Sequence, residues 1–229
     1  TNNLKGESPI MSHVEGKSNT LAGSFTHIEG YNNTGGSDFS HVEGANNNSS
    51  NNASYSHVEG ESNSAANSSY AHVEGHSNQA ISAEASHVGG TYSKALGNNA
   101  FVHGTNSVAF ENAIAIGQST YAKAGFTTGS NTSSYGIGAF ATGSKTRANA
   151  NYSVAEGEGT ISSGQGAHAE GWATIAYGKY SHAEGSSVTG SNTNTDLGTY
   201  SHAENKSTVL GTYSHAENNA QITETANYA

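Results

Sequence analysis

Apolar residues are sparse in this chain and stand mostly one at a time between polar neighbours. The clearest pattern is a five-residue block in which Ser, Thr or Ala is followed by His, by Val, Ile or Ala, by Glu and by Gly, as in Ser12–Gly16 and Ser40–Gly44. Successive side chains of a strand point to opposite faces, so the central apolar residue points one way while His and Glu point the other. Each block therefore predicts a short strand with a small apolar residue inside and a His and Glu pair outside.

The blocks return at a nearly constant interval. The glycines that end them are 14 residues apart at every step from Gly129 to Gly185, and 14 to 16 apart from Gly16 to Gly90. A second Gly or Asn lies about half a period later, for example at Gly23 and Asn67. Two turns per repeat predict an all-β fold, a parallel β-roll with two short strands in each coil of about 14 residues and about fifteen coils in all.

Two late blocks end in Asn instead of Gly, at Asn205 and Asn218. Asn is the non-glycine residue that best tolerates a left-handed backbone conformation. The exchange at a fixed position of the repeat predicts a turn with positive φ there, which a merely flexible linker would not require.

The composition excludes several classes of function. Only 33% of the residues are apolar and 11% are charged, with 29 Gly, one Pro and no Cys. The formal net charge of −10, with eight scattered basic residues, argues against nucleic acid or an anionic membrane as a partner. No segment is apolar enough to predict insertion into a membrane, and the absence of Cys excludes disulfides and thiolate metal sites.

The outward residues of the blocks form what we call the His/Glu ladder, because each should stack on its equivalent in the next coil. A Ser–His–Glu triad is excluded, since the neighbouring Ser and His point to opposite faces. Two alternatives remain: a seam of His–Glu hydrogen bonds, which we favour, and a ladder of metal ligands. We therefore expect no catalytic residue, no metal and no cofactor. The ladder consists of His13, Glu15, His27, Glu29, His41, Glu43, His57, Glu59, His72, Glu74, His168, Glu170, His182, Glu184, His202, Glu204, His215 and Glu217.

Aromatic residues precede many of the blocks. Such a row predicts packing of one coil on the next, and stacking on sugars is the alternative. The row consists of Phe25, Phe39, Tyr55, Tyr70, Tyr152, Tyr180, Tyr200 and Tyr213.

A coil this poor in apolar residues should be only marginally stable alone. Burial of one Val and one or two Ala gains about 2 to 4 kcal/mol per coil. Ordering the backbone costs about 1 to 2 kcal/mol for each residue of the coil. Association of three chains along their length would shelter them. The middle of the chain supports this, since large apolar residues replace His and Glu there. We expect Val108, Phe110, Ile114 and Ile116 to form the apolar face of a homotrimer.

The segment Asn112–Ser119 resembles the repeats of YadA-type heads of trimeric autotransporter adhesins, and the Ser-His-Ala-Glu-Gly blocks are similar to repeats in bacteriophage tail fibres. The resemblance extends from about residue 11 to residue 218. It implies a left-handed parallel β-roll in a homotrimeric, elongated fibre. It also implies a receptor on a host surface, of protein or glycan, and an extracellular location on a virion tail or a bacterial cell.

The interval between Gly185 and Asn205 is longer than the others. We expect residues 186–199 to form a protruding loop with Asn192, Asn194 and Asp196 as candidate receptor contacts. An inert insertion and an extra half-coil, which would move the ladder to the other face, are the alternatives. We divide the chain into a lead-in at 1–10, one β-roll domain at 11–218 and an exit segment at 219–229, as a piece of a longer protein.

The sequence thus predicts a non-enzymatic fibre segment that supports attachment to a host cell. A phage or prophage tail fibre is the first hypothesis, and the head of a bacterial trimeric adhesin is the second. A polysaccharide-degrading enzyme is a third, for which no paired carboxylates outside the repeat are apparent.

Overall fold

The computed structural model describes residues 1–4, 10–50, 52–186 and 194–223. Every regular element in these residues is a β-strand, and none forms a helix that is long and apolar enough to cross a bilayer. The chain divides into two compact units, residues 1–119 and 120–229. Each unit is a parallel β-solenoid in which strands of one sheet alternate along the chain with strands of the other.

The first sheet of unit 1 has short strands: β1 (Asn3–Leu4), β3 (Thr20–Leu21), β5 (Thr34–Gly35), β7 (Asn48–Ser50), β9 (Ser64–Ala66), β11 (Gln79–Ile81), β13 (Lys94–Ala95) and β15 (Val108–Ala109). The second sheet carries the blocks: β2 (His13–Val14), β4 (His27–Tyr31), β6 (His41–Ala45), β8 (His57–Glu61), β10 (His72–His76), β12 (His87–Thr91), β14 (Phe101–Thr105) and β16 (Ile114–Gln118).

Unit 2 repeats this arrangement. Its first sheet has β17 (Tyr121–Ala122), β19 (Ser133–Ser134), β21 (Arg147–Ala148), β23 (Ile161–Ser162), β25 (Thr174–Ala176), β27 (Asn194–Asp196), β29 (Thr208–Val209) and β31 (Gln221–Ile222). Its second sheet has β18 (Phe126–Ser130), β20 (Phe140–Ser144), β22 (Val154–Glu158), β24 (His168–Trp172), β26 (His182–Glu184), β28 (His202–Glu204) and β30 (His215–Ala216).

Within each unit a strand pairs in parallel with its equivalent one coil further along, so like residues lie side by side. Val42 of β6 is in register with Val58 of β8, and Ala155 of β22 with Ala169 of β24. The predicted all-β parallel fold with two strands per coil and about 15 turns is confirmed.

The interior of each coil is thin. The central residue of every block after the first is buried, for example Val58 in unit 1 and Ala169 in unit 2, and it faces a small residue of the other sheet, such as Ala65 or Ala176. Wider side chains would not fit between the two sheets, which explains why the sequence contains so few large apolar residues.

A row of buried asparagines, which we call the interior Asn row, joins the coils of unit 1. Asn33 Nδ2 donates to the carbonyl oxygens of Glu29 at 2.6 Å and Gly44 at 2.8 Å, and Asn33 Oδ1 accepts the N–H of Asn47 at 2.9 Å. Sequence reasoning missed this row, although each member follows a ladder Glu by four residues. Its members are Asn19, Asn33, Asn47, Asn63 and Asn78.

The turn that ends each block has the predicted positive φ. Gly30 has φ 108°, and a Cβ on it would lie 2.0 Å from the carbonyl oxygen of Gly44 in the next coil. Asn205 and Asn218, with φ of 46° and 54°, take the left-handed conformation that the Gly-to-Asn exchange predicted.

Candidate functional site

The outward face of the second sheet carries the His/Glu ladder. Parallel register places each His beside its equivalent, as for His41 and His57 in unit 1 and His182 and His202 in unit 2. The ring centroids of these pairs are 4.7 and 4.8 Å apart, and the rings are nearly parallel. All the ladder residues lie in strands β2, β4, β6, β8, β10, β24, β26, β28 and β30, apart from Glu15 and Glu217, which directly follow β2 and β30.

In unit 1 most ladder histidines contact the Glu of their own strand. The Nε2–Oε2 distance is 3.1 Å between His57 and Glu59 and 3.8 Å between His27 and Glu29, and these side chains are about half exposed. The same pairing joins His41 to Glu43 at 3.5 Å. Water screens such exposed pairs, so they contribute little to stability.

In unit 2 the shortest contact of each ladder histidine is with the Glu of the preceding coil, although His182 also lies 4.0 Å from Glu184 of its own strand. His182 Nε2 lies 3.2 Å from Glu170 Oε1, and His202 Nε2 lies 3.1 Å from Glu184 Oε1. These side chains are between 32% and 38% exposed, less than most of those in unit 1. The ladder of unit 2 is therefore a hydrogen-bonded seam that ties one coil to the next.

Two histidines of this sheet have a lowered pKa: His87 in β12, which lies in register with the ladder residue His72, and His182 of the ladder. Burial is the main cause at His87, followed by the neighbouring His72, while Glu74 opposes the shift. Burial also dominates at His182, followed by His168, while the hydrogen bond to Glu170 opposes it. At both positions a charged imidazolium would be poorly hydrated and would lie beside another imidazole, so the neutral ring is favoured.

The Ser of each block lies on the other side of the strand. Ser40 is buried, and its hydroxyl donates to the carbonyl oxygen of Ser37 at 2.9 Å, whereas His41 lies on the outer face. The prediction that Ser and His of one block point to opposite faces is confirmed.

The four residues expected to form one apolar face do not share a face. Ile114 and Ile116 do occupy the ladder positions, in register with Phe101 and His103. Val108, however, lies in the other sheet, in register with Lys94, and Phe110 follows β15 outside any strand. The prediction was wrong for Val108 and Phe110, because successive strands of a coil belong to opposite sheets, and their outward side chains point away from each other.

The aromatic row packs as predicted. The rings of Phe39 and Tyr55 are 4.8 Å apart and 2° from parallel, and Tyr200 and Tyr213 are 5.3 Å apart at 2°. Each row residue is between 43% and 63% exposed. In the runs from Phe25 to Tyr70 and from Tyr180 to Tyr213, stacked neighbours cover ring faces, whereas Tyr152, the most exposed, lies outside these runs. A sugar needs a free ring face to stack on, so this geometry disfavours the alternative of sugar stacking within a run.

The structure changes the assignment of the candidate receptor contacts predicted in residues 186–199. Asn192 lies outside the described residues, and Asn194 lies in β27. Asp196 is fully buried in β27, in register with Ala176 and Val209. Its place in a protruding loop was wrong, because β27 continues the first sheet. The extra half-coil is wrong too, since His182 and His202 stay in register on the same sheet.

Asp196 is the charged exception in its row of the interior, since its neighbours in register are Ala176 and Val209 and the next position along is Ser162. Its Oδ1 accepts the N–H of Gly198 at 3.0 Å and a close hydrogen bond from the Ser201 hydroxyl. Burial raises its pKa to about 7, although both hydrogen bonds oppose the shift. Sequence reasoning placed this residue on the surface, because an Asp in a polar segment gives no signal of burial.

Parallel coils of about 14 residues, in which like residues stack on like, define a β-solenoid of short repeats. Residues 89–110 in unit 1 and 134–157 in unit 2 match the family model of the YadA head domain repeat. The chain therefore contains YadA-like β-roll repeats, as the sequence predicted. No curated protein matches the chain.

Proposed function

We propose that this chain is a head-type segment of a trimeric surface adhesin, exposed outside the cell, that binds a host surface without catalysing a reaction. The observation that carries the proposal is the match of one stretch in each unit to the YadA head domain repeat. Such heads are trimers on bacterial surfaces, and the parallel solenoid supplies the regular scaffold that such a segment needs.

The outer face of the second sheet supports trimer formation. Phe101 and Ile114, in register with one another at ladder positions, are 38% and 37% exposed in the single chain. Exposed apolar side chains on a regular face are typical of a surface that another chain covers. We assign Phe101, Ile114 and Ile116 to the contact between copies.

The absence of catalysis is part of the proposal. Its support is the repetition of the His and Glu pairs, because a catalytic site needs a few groups placed uniquely around one substrate. A turnover assay on capsular and cell-wall glycans tests this part, and release of soluble sugar would contradict it.

An attachment assay tests the proposed function. Beads coated with the chain should bind animal cells or immobilised matrix proteins, and beads coated with an unrelated β-solenoid should not. Binding to bacterial envelopes instead would contradict the adhesin proposal and favour the tail-fibre hypothesis. The absence of binding to any surface would contradict attachment by this segment.

A further inference from the structure

The ladder of unit 2 brings together more groups able to bind a metal than any other part of the described chain. His168, Glu170 and His182 each offer one ligand atom, and these three atoms lie within 4.8 Å of one another. His182, Glu184 and His202 form a second set of three with the same limit. The two sets overlap at His182, which lies between His168 and His202 with ring centroids 4.8 Å from each.

We propose that these two overlapping sets form a binding site for a divalent transition-metal ion of the Zn²⁺ class. Two imidazoles and one carboxylate are a ligand set that suits such ions, with further positions open to water. Ca²⁺ and Mg²⁺ prefer six or more oxygen ligands, which a set with a single carboxylate does not provide.

The distances require only a small adjustment. Ligand atoms around a tetrahedral Zn²⁺ with bonds of about 2.0 to 2.1 Å are about 3.4 Å apart. His182 Nε2 and Glu170 Oε1 are already 3.2 Å apart, and His202 Nε2 and Glu184 Oε1 are 3.1 Å apart. The third ligand atom of each set lies within 4.8 Å of the others and must move by up to about 1.4 Å, and the nearly parallel rings must tilt towards the shared ion. Rotation of side chains that are about one-third exposed allows both changes.

The ladder of unit 1 does not offer the same arrangement. Its described residues contain one such set, Glu74, His87 and His103, in which His103 is exposed. The in-strand pairs, such as His27 and Glu29, contribute two ligands each and no third within reach. That set also joins neighbouring coils, but His87 Nε2 lies 3.8 Å from Glu74 Oε1, so the shorter contacts and the lower exposure in unit 2 distinguish the proposed site.

His182 belongs to both sets and can bind one ion at a time, so the two sets cannot be occupied together. The stretch from His168 to His202 should therefore bind one Zn²⁺ per chain. The ligands come from one chain, so the site is complete without a second copy.

Titration calorimetry with ZnCl₂ on the full chain, stripped of metal with a chelator, tests the proposal. His182→Ala removes a ligand from both sets and should weaken the tightest Zn²⁺ binding by at least about tenfold. His27→Ala, at the same ladder position in unit 1, is the matched control and should bind as the unchanged chain does. Circular dichroism and solution mass should be the same for all three proteins.

Carboxylate variants provide a second test that does not alter the stacked rings. Glu170→Gln and Glu184→Gln should each keep one of the two sets intact and therefore still bind Zn²⁺. The double variant lacks both carboxylates, and its affinity for Zn²⁺ should fall by at least about tenfold. CaCl₂ at the same concentrations should give no saturable heat.

Three results would overturn the proposal. They are the absence of saturable Zn²⁺ binding to the unchanged chain, equal binding by His182→Ala and His27→Ala, and a double Glu variant that binds as tightly as the unchanged chain. None of these results bears on adhesion, so the proposed function would stand or fall separately.

Discussion

Asn33 Oδ1 accepts the backbone N–H of Asn47 at 2.9 Å, although the two residues are 14 positions apart. Asn47 makes the same contact with Asn63, and Asn63 with Asn78. Each amide thus satisfies polar backbone groups of two coils inside a thin interior where water has no access. Buried groups of this kind are costly when left unpaired, so the interior Asn row sets how one coil stacks on the next.

Replacing a member of this row should destabilise unit 1. Asn47→Ala leaves the N–H of Asn63 and the carbonyl oxygens of Glu43 and Gly60 without their side-chain partner. We expect a loss of at least about 2 kcal/mol in the free energy of unfolding, measured by urea denaturation. Asn149→Ala is the control, because Asn149 is exposed, and it should change stability by no more than about 0.5 kcal/mol. Equal losses in the two variants would contradict the role of the row.

In unit 2 threonines take the place of most of the asparagines, and they differ in their hydrogen bonds. Thr174 Oγ1 donates to the carbonyl oxygen of Glu170 at 3.0 Å, whereas the buried Thr146 Oγ1 has no hydrogen-bond partner among the described residues. Thr146→Val should therefore be neutral or stabilise by up to about 1 kcal/mol, and Thr174→Val should destabilise by about 1 kcal/mol. The order of the two melting temperatures checks this, and the reverse order would contradict it.

Asp196 should make the stability of unit 2 depend on pH. Its pKa rises from 3.8 to about 7 in the folded chain, so the folded state holds a proton that the unfolded state has lost in this range. The contribution of Asp196 to the free energy of unfolding is largest below pH 3.8, and it falls as the pH rises towards 7. Asp196→Asn removes the charge at nearly constant shape, and we expect it to be more stabilising at pH 8 than at pH 5.

Chemical denaturation of both proteins at these two pH values measures the difference. Each pKa unit corresponds to about 1.4 kcal/mol, so a gain of about 2 to 4 kcal/mol at pH 8 relative to pH 5 is expected. The same stability change at both pH values would show that Asp196 is not buried as a neutral acid.

His87 should make the stability of unit 1 depend on pH in the opposite direction to Asp196. Because its pKa is lowered in the folded state, His87 takes up a proton in the unfolded chain at a higher pH than in the folded chain. Its contribution to the free energy of unfolding is therefore largest above pH 6.5, and it declines as the pH falls below that value. Phe101 occupies the same position in the next coil, with its ring 4.8 Å away. His87→Phe should therefore fold and should show a smaller loss of melting temperature between pH 7 and pH 5. A variant with an unchanged pH profile would contradict this, and His27→Phe controls for the loss of any histidine.

The sequence was sufficient to predict the fold because the repeat is a physical requirement. Small residues such as Val58 recur where two sheets approach closely, and Gly or Asn recurs where the turn needs positive φ, so both signals are visible in one dimension. Asn33 and its equivalents carried a further signal, their constant spacing from the ladder Glu, which general rules about polar residues do not interpret as burial.

The surface was harder to predict. The assignment of Val108 to one face with Ile114 failed because it needs the sheet to which each strand belongs, and a half-period error changes the face. The buried position of Asp196 could not be found either, since it depends on where the chain rejoins the first sheet after a longer connection.

Ile114 tests the proposed contact between copies. Ile114→Asp places a charge on the outer face at a side chain that is 37% exposed in the single chain. It should shift the chain towards the monomer while the circular dichroism spectrum stays that of a β-fold. Lys94→Asp, on the outward side of the other sheet, is the control and should leave the mass unchanged. Equal masses for Ile114→Asp and the unchanged chain would remove Ile114 from the contact.

The mass of the unchanged chain in solution tests the central claim most directly. Light scattering coupled to size exclusion should give three times the mass of one chain, constant over a tenfold dilution. A mass of one chain would contradict the account of this solenoid as a trimeric adhesin segment.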